Sequence, residues 1–260
     1  MKYTQKGATL IVVLVLLVVI TILGVFAVRQ SMVSLGIATN SQAQQLLLQN
    51  SDAAQFQITD IKKLAYSLTK SGVLGMKNAE SDRNAEVIFC YRSDQSEFFD
   101  ISKYSIMEWK EGTSAPSNNS EGLDGYCSVS SSNGNFFTSG RKAVMTQIAV
   151  KYMANPDGEK FQGYMLGGDP SSLKLGGGDS TSKVYVYAVS LMPSLATTQV
   201  SSAKIDECLS QRMNQVTPPK SISGAVSAIA RESVTECLTN LNVPFTSHVG
   251  EYLIQINFAK

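Results

Sequence analysis

Histidine and tryptophan occur once each among the 260 residues, and proline only seven times. A single imidazole, His248, leaves no second one for a histidine-based metal site, and no CxxC spacing takes its place, so zinc has no support. None of the many serines lies in a G-x-S-x-G turn, and there is no second histidine to orient one, which removes the usual hydrolase arrangements. The glycine-rich stretch 176–179 is followed by neither Lys-Ser/Thr nor a helix start, and reads as a flexible turn rather than a phosphate cradle. Asp157, Asp169 and Asp179 offer oxygens to Ca²⁺ but lack coordinating spacing. The chain therefore reads as a non-enzyme with no cofactor and no metal.

Net charge is also missing: 22 basic and 21 acidic residues leave +1, which gives no electrostatic footprint for nucleic acid. The distribution says more than the sum. No acidic residue precedes Asp52, and the only charges before it are Lys2, Lys6 and Arg29. The N-terminal region is thus a different physical object from the rest, whose Ser/Asn/Gly-rich composition without long charge runs suits an ordered, loop-rich domain.

In that region stands an uncharged run, ATLIVVLVLLVVITILGVFAV, residues 8–28. Its length of about 21 residues matches the ~20 that cross a bilayer core as a helix. Lys2 and Lys6 hold the N-terminus on the cytoplasmic side and put everything after Arg29 outside, with Arg29 opposing as one residue against two. A cleavable secretory signal would want an apolar stretch of about 7–15 residues and a small-residue site such as Val25-Phe26-Ala27. A plain single-pass anchor fits the run as well.

A third reading rests on the residues in front of the run, where the basic leader MKYTQKG ends at Gly7 and the apolar stretch starts at once at Ala8. This resembles the class III leader and mature start of type IV prepilins. The following VRQSMVSLGIATNSQAQQLLLQNSDAAQF is similar to the N-terminal helix of the PilX group of minor pilins, so the resemblance reaches Phe56. It implies that a prepilin peptidase cuts between Gly7 and Ala8 and methylates Ala8, leaving the apolar run in the product. Most pilins carry Glu where this chain has Val12. A carboxylate inside a bilayer is expensive and is kept where it meets a charge, in pilins the N-terminal amine of the neighbour nearer the tip. A subunit without it cannot pair forwards, while its own Ala8 amine still attracts the Glu of the next subunit. Together with the same gap in PilX and in K-type pseudopilins, that implies a subunit at or near the tip.

Beyond Arg29, apolar residues at Met32, Leu35, Ala43, Leu46, Ala53, Ile61, Leu64 and Leu68 recur at gaps of mostly three, four or their sums, the stripe of an amphipathic helix. Thr39, Asn50 and Gln57 interrupt it, and Gly36 weakens it by up to ~1 kcal/mol. Gly72 and Gly75 mark its end. Such a stripe also suits a helical stalk or a short coiled coil. A helix unbroken from Ala8 to Leu68 would be on the order of 90 Å long.

After Gly75 the pattern turns to strands at 86–91, 104–109, 147–153, 161–166, 184–191 and 252–258, several with period-two alternation. The turn Asn155-Pro156-Asp157-Gly158 implies a hairpin. Residues 203–214 and 223–240 read as helices separated by Thr217-Pro218-Pro219, ahead of the last strand, with His248 beside it. Stretches 112–122, 128–134 and 167–182 read as surface loops. The four cysteines all lie on the outer side of the span, where two disulfides are expected; of three possible pairings, Cys90–Cys127 and Cys208–Cys237 close the more local loops.

The expected fold class is α+β and pilin-like: a long N-terminal α-helix packed on an antiparallel β-sheet, with extra helices near the C-terminus. The expected divisions are a leader 1–7, a transmembrane part 8–28, an amphipathic continuation 29–72 and an extracytoplasmic domain 73–260. The resemblance implies a minor pilin of the type IV pilus that primes assembly, with roles in adhesion and twitching motility. Its implied partners are other minor pilins and the major pilin through the N-terminal helix, prepilin peptidase, the inner-membrane assembly platform and a tip adhesin. It implies an inner-membrane protein with a periplasmic domain, later carried on the surface pilus. The alternatives are a K-type pseudopilin of type II secretion and an unrelated membrane-tethered binding module.

Overall fold

The computed structural model describes residues 8–58, 85–92, 102–118, 122–131, 136–138, 142–153, 181–196 and 200–255. The chain divides into two units, residues 1–45 and 46–260. The helix α1, Ala8–Ile58, starts in the first and ends in the second. The first unit consists, among its described residues, of that helix alone.

In the second unit the strands are β1 (Glu86–Tyr91), β2 (Ser105–Glu108), β3 (Ser117–Asn118), β4 (Met145–Met153), β5 (Thr181–Leu191) and β6 (Phe245–Gln255). They form one antiparallel sheet in the order β3-β2-β1-β4-β5-β6. Between β5 and β6 lie α2 (Ser202–Gln211), α3 (Ala228–Arg231) and α4 (Val234–Asn240). This is the α+β arrangement expected from the sequence.

Alternation along the central strands decides the layers, because successive side chains of a strand point to opposite faces. Val87, Phe89, Ile148, Val150, Val184, Val186 and Ala188 turn to one face, where they pack with Ala54 and Ile58 of α1. Ile88, Met107 and Ala149 turn to the other, against Trp109, Tyr126, Met213 and Ala230. Further along that second face, Met145, Val189 and Leu191 meet Ile205 and Leu209 of α2 and Val234 and Leu238 of α4. A sheet apolar on both faces is thus covered on both.

Several expectations need correction. The buried face of the outer part of α1 is Ala43, Leu47, Ser51, Ala54 and Ile58; Ala43 lies on the stripe expected from the sequence, whereas Leu46 and Ala53, also placed there, are exposed. From Leu47 onward the seam is set one residue later, because small side chains let the helix approach β5: Ser51 Oγ donates to Ala188 O at 3.4 Å. The last strand begins at Phe245 rather than at Tyr252, so His248 lies within it. Its first half, FTSHVG, lacks alternation and is held as strand by pairing with β5, from Leu191↔Phe245 onward. The single helix expected over 223–240 is two short ones, because Ser227 and Ser233 each cap a new helix, the second with a capping box to Glu236. The ends of the first helix at Gly72 and Gly75, the strand 161–166, the turn 155–158 and the residues Asp157, Asp169 and Asp179 lie outside the described residues.

One close approach requires glycine. Gly125 N donates to Ser105 Oγ at 2.9 Å, and a side chain there would overlap Ser105 N and Ile88 O. The loop ahead of Cys127 can lie against β1 and β2 only without a Cβ.

Candidate assembly interface

The N-terminal part of α1 is apolar all round. Leu10, Val12, Leu17, Ile20, Leu23 and Phe26 lie on different sides of the helix and are each more than half exposed. An isolated helix of this kind is stable only in lipid or among other apolar helices, since an apolar surface on every side has no face to turn to water. The hydroxyl of Thr21, in the middle of the run, is already satisfied, because Oγ1 donates to Val18 O at 2.8 Å. Past Arg29, Thr39 donates back to Leu35 O and Gly36 O and Asn50 to Leu46 O in the same way. Among the described residues this is the one helix long and apolar enough to cross a membrane. Of the residues singled out for maturation, Ala8 is the first of α1 and Gly7 lies outside the described residues. Val12 is 61% exposed, so the helix surface presents a methyl pair where a carboxylate is the pilin pattern.

Residues 6–60 match the family described as PilX N-terminal. The N-terminal segment is PilX-like. That match spans about a fifth of the chain and covers all of α1. No curated protein and no solved structure matches the chain. The long N-terminal helix followed by an antiparallel sheet is a pilin-like α+β arrangement.

The second unit is braced by two disulfides, Cys90–Cys127 and Cys208–Cys237, the pairing that closes the more local loops. The first ties the end of β1 to the loop before β4; the second ties α2 to α4. All four cysteines are buried in one apolar cluster. Gln147 links the two bridged regions: its Oε1 accepts from Cys127 N at 3.1 Å and its Nε2 donates to Leu209 O at 3.0 Å. Asp206 of α2 gathers the loop after Cys127, accepting from Ser128 Oγ, Val129 N, and both N and Oγ of Ser130. Among the described residues no three His, Cys, Asp or Glu side chains come together as a metal site.

A buried charge pair pins the chain after α2 onto the sheet. Glu86 of β1 and Lys151 of β4 face each other in register, and both are fully buried. Glu86 accepts from Gln215 N at 2.9 Å, Asn214 N at 2.9 Å and Asn214 Nδ2 at 3.0 Å. Lys151 Nζ donates to Gln215 O at 3.1 Å and Thr217 Oγ1 at 2.6 Å. Burial pushes the Glu86 carboxyl above its ordinary value, against the pull of Lys151 and the amide donors, and burial holds the Lys151 ammonium below its own. Tyr187, which donates to Gln215 Oε1 at 2.8 Å, is pushed up to about 12 by burial, then by Glu86 and Tyr185. His248 Nδ1 of β6 meets Asp52 Oδ1 of α1 at 3.2 Å.

Sequence reasoning missed Glu86, Lys151, Gln147 and Asp206. A signal existed for the first two: each is a lone charge inside an otherwise apolar strand run, and a charge buried in a sheet needs a partner of the other sign. Gln147 and Asp206 had none, since their roles depend on loops brought together by the fold.

Proposed function

We propose that this chain is a minor pilin of PilX type, which primes type IV pilus assembly with other minor pilins and stands at or near the pilus tip. The observation that carries the proposal is the helix surface from Ala8 to Val28: uncharged, exposed on every side, and without a carboxylate at Val12. Prepilin peptidase cuts after Gly7 and methylates Ala8, so residues 1–7 are a leader and 8–28 remain as the membrane span. Residues 29–72 continue the helix, and 73–260 form the periplasmic head. The span bundles with the helices of other minor pilins and of the major pilin at the inner-membrane assembly platform. The work is packing, not turnover: apolar surface that faces lipid before assembly faces neighbouring helices afterwards.

With no Glu at Val12, the subunit pairs only backwards, its Ala8 amine taking the Glu of the next subunit. That favours a starting rather than an extending position, where the head can carry an adhesin or touch a surface and serve twitching. Mass spectrometry of the mature protein tests the maturation step; a methylated chain beginning at Ala8 is expected, and a start at Val28 or an intact Met1 would refute it. Pilus counts test the position: Val12→Glu should change the number of pili per cell, and an unchanged number argues against a tip subunit. Normal pili with a secretion defect in a deletion strain would favour the K-type pseudopilin instead.

A further inference from the structure

Arg29 is the one charged residue between Lys6 and Asp52, and it is exposed on α1. No carboxylate pairs with it among the described residues, and the first acidic residue of the chain, Asp52, lies about six turns further along the helix. Its place along the helix says what counter-charge it can reach. From Ala8 to Arg29 the helix rises about 32 Å, close to the ~30 Å of a bilayer's hydrocarbon core. Polar groups begin there, with Gln30, Ser31 and Ser34 following at once. The apolar pull does not end there: Met32, Val33, Leu35 and Ile37 are each 64–69% exposed beyond it. The guanidinium is the one charge that opposes drawing that next stretch into lipid.

We infer that Arg29 is a depth stop, its guanidinium held by phospholipid phosphate at the outer headgroup layer of the membrane. This rests on the membrane-spanning role proposed above for residues 8–28. The chemistry of Arg suits such a stop, because its planar fork binds phosphate oxygens in pairs and its stem reaches along apolar surface to the headgroup level. Between the two ends of the span no charged side chain fixes the register of helix against bilayer. A mature chain starting at Ala8 brings its amine to the inner layer and Arg29 to the outer one, so both ends of the span meet phosphate.

The test places a nitroxide on the full chain through Phe26→Cys, one turn before Arg29; the four native cysteines are all in bridges. The labelled chain is put into phosphatidylglycerol vesicles and into vesicles of a phosphate-free galactolipid, and label depth is read from collision with oxygen and a water-soluble nickel complex. In phosphatidylglycerol, adding Arg29→Gln should sink the label by about one turn, ~5 Å, while Arg29→Lys keeps its depth. In galactolipid the gap between wild-type background and R29Q should narrow. Equal depth with and without R29Q in phosphatidylglycerol overturns the inference, as does an undiminished gap in galactolipid. Equal depth combined with fewer pili on R29Q cells would also overturn it, assigning Arg29 to a partner's carboxylate. A label left in water in every vesicle would sink the membrane-spanning role itself, an outcome distinct from these.

Discussion

Replacing Lys151 with Met removes the cation that faces Glu86 and empties the two acceptors it serves, Gln215 O and Thr217 Oγ1. Breaking one side of a buried pair costs about 3–5 kcal/mol. The lower figure is expected, because Glu86 keeps three N–H donors from Asn214 and Gln215. A loss of ~3 kcal/mol corresponds to roughly 6–12 °C in melting temperature for a unit of this size. Trp109 is a convenient probe, since it is buried with Met213, the residue just before the pinned segment. Urea unfolding of the full chain in detergent, with both bridges intact, gives the midpoint and slope.

The pH dependence carries the sharper test. Glu86 is raised in the folded state, so its contribution is fully present below its unfolded pKa and is lost as pH rises through the folded value. Lys151 is depressed, so its contribution is present above its unfolded pKa and fades as pH falls through the folded value. In K151M the carboxyl rises further and the second effect disappears. The deficit of K151M relative to wild type should therefore shrink as pH is lowered from ~8 to ~5. Adding Glu86→Gln to K151M should cost less than the sum of the single changes, by ~1 kcal/mol or more. A deficit below about 1 kcal/mol, or one constant across that window, would refute the account of the buried pair.

Other consequences follow from the packing. Cys208→Ala with Cys237→Ala opens a loop of 29 residues' separation and should lower stability by ~3–4 kcal/mol, read as a fall in melting temperature. Ser51→Phe forces bulk into the seam where Ser51 meets Ala188 O and should cost about 1–3 kcal/mol by urea midpoint, whereas exposed Ala53→Phe should be near neutral. Gly125→Ala sets a Cβ against Ser105 N and Ile88 O, so the loop before Cys127 must move; faster proteolysis within residues 122–131 is the expected readout.

The strands 86–91, 147–153 and 184–191 were legible because β-branched and aromatic residues alternate there, and the observed β1, β4 and β5 contain them. The PilX-like segment was legible from a motif, MKYTQKG before an unbroken apolar run, that depends on no tertiary contact. Past Ala43 the helix seam was not legible, since Leu46 and Leu47 are equally apolar and the choice between them turns on Ser51 and Ala54 fitting closely against β5. The start of β6 was illegible for a related reason: FTSHVG has no period of its own and becomes strand only where β5 supplies the ladder.

Composition and local pattern by themselves determined that this chain begins with a helix for lipid or other helices and that its remainder is a separate α+β body, and they favoured the more local of three possible cysteine pairings. Those properties follow from burial preference, periodicity and chain entropy, which act over a few turns or along the chain itself. Only the tertiary structure decided which face of α1 is buried, that Glu86 and Lys151 answer each other across β1 and β4, and that Gln147 joins the two bridged regions. Each of these depends on groups far apart in sequence being brought to one place, and a buried polar group gains its partners only when the whole sheet has formed.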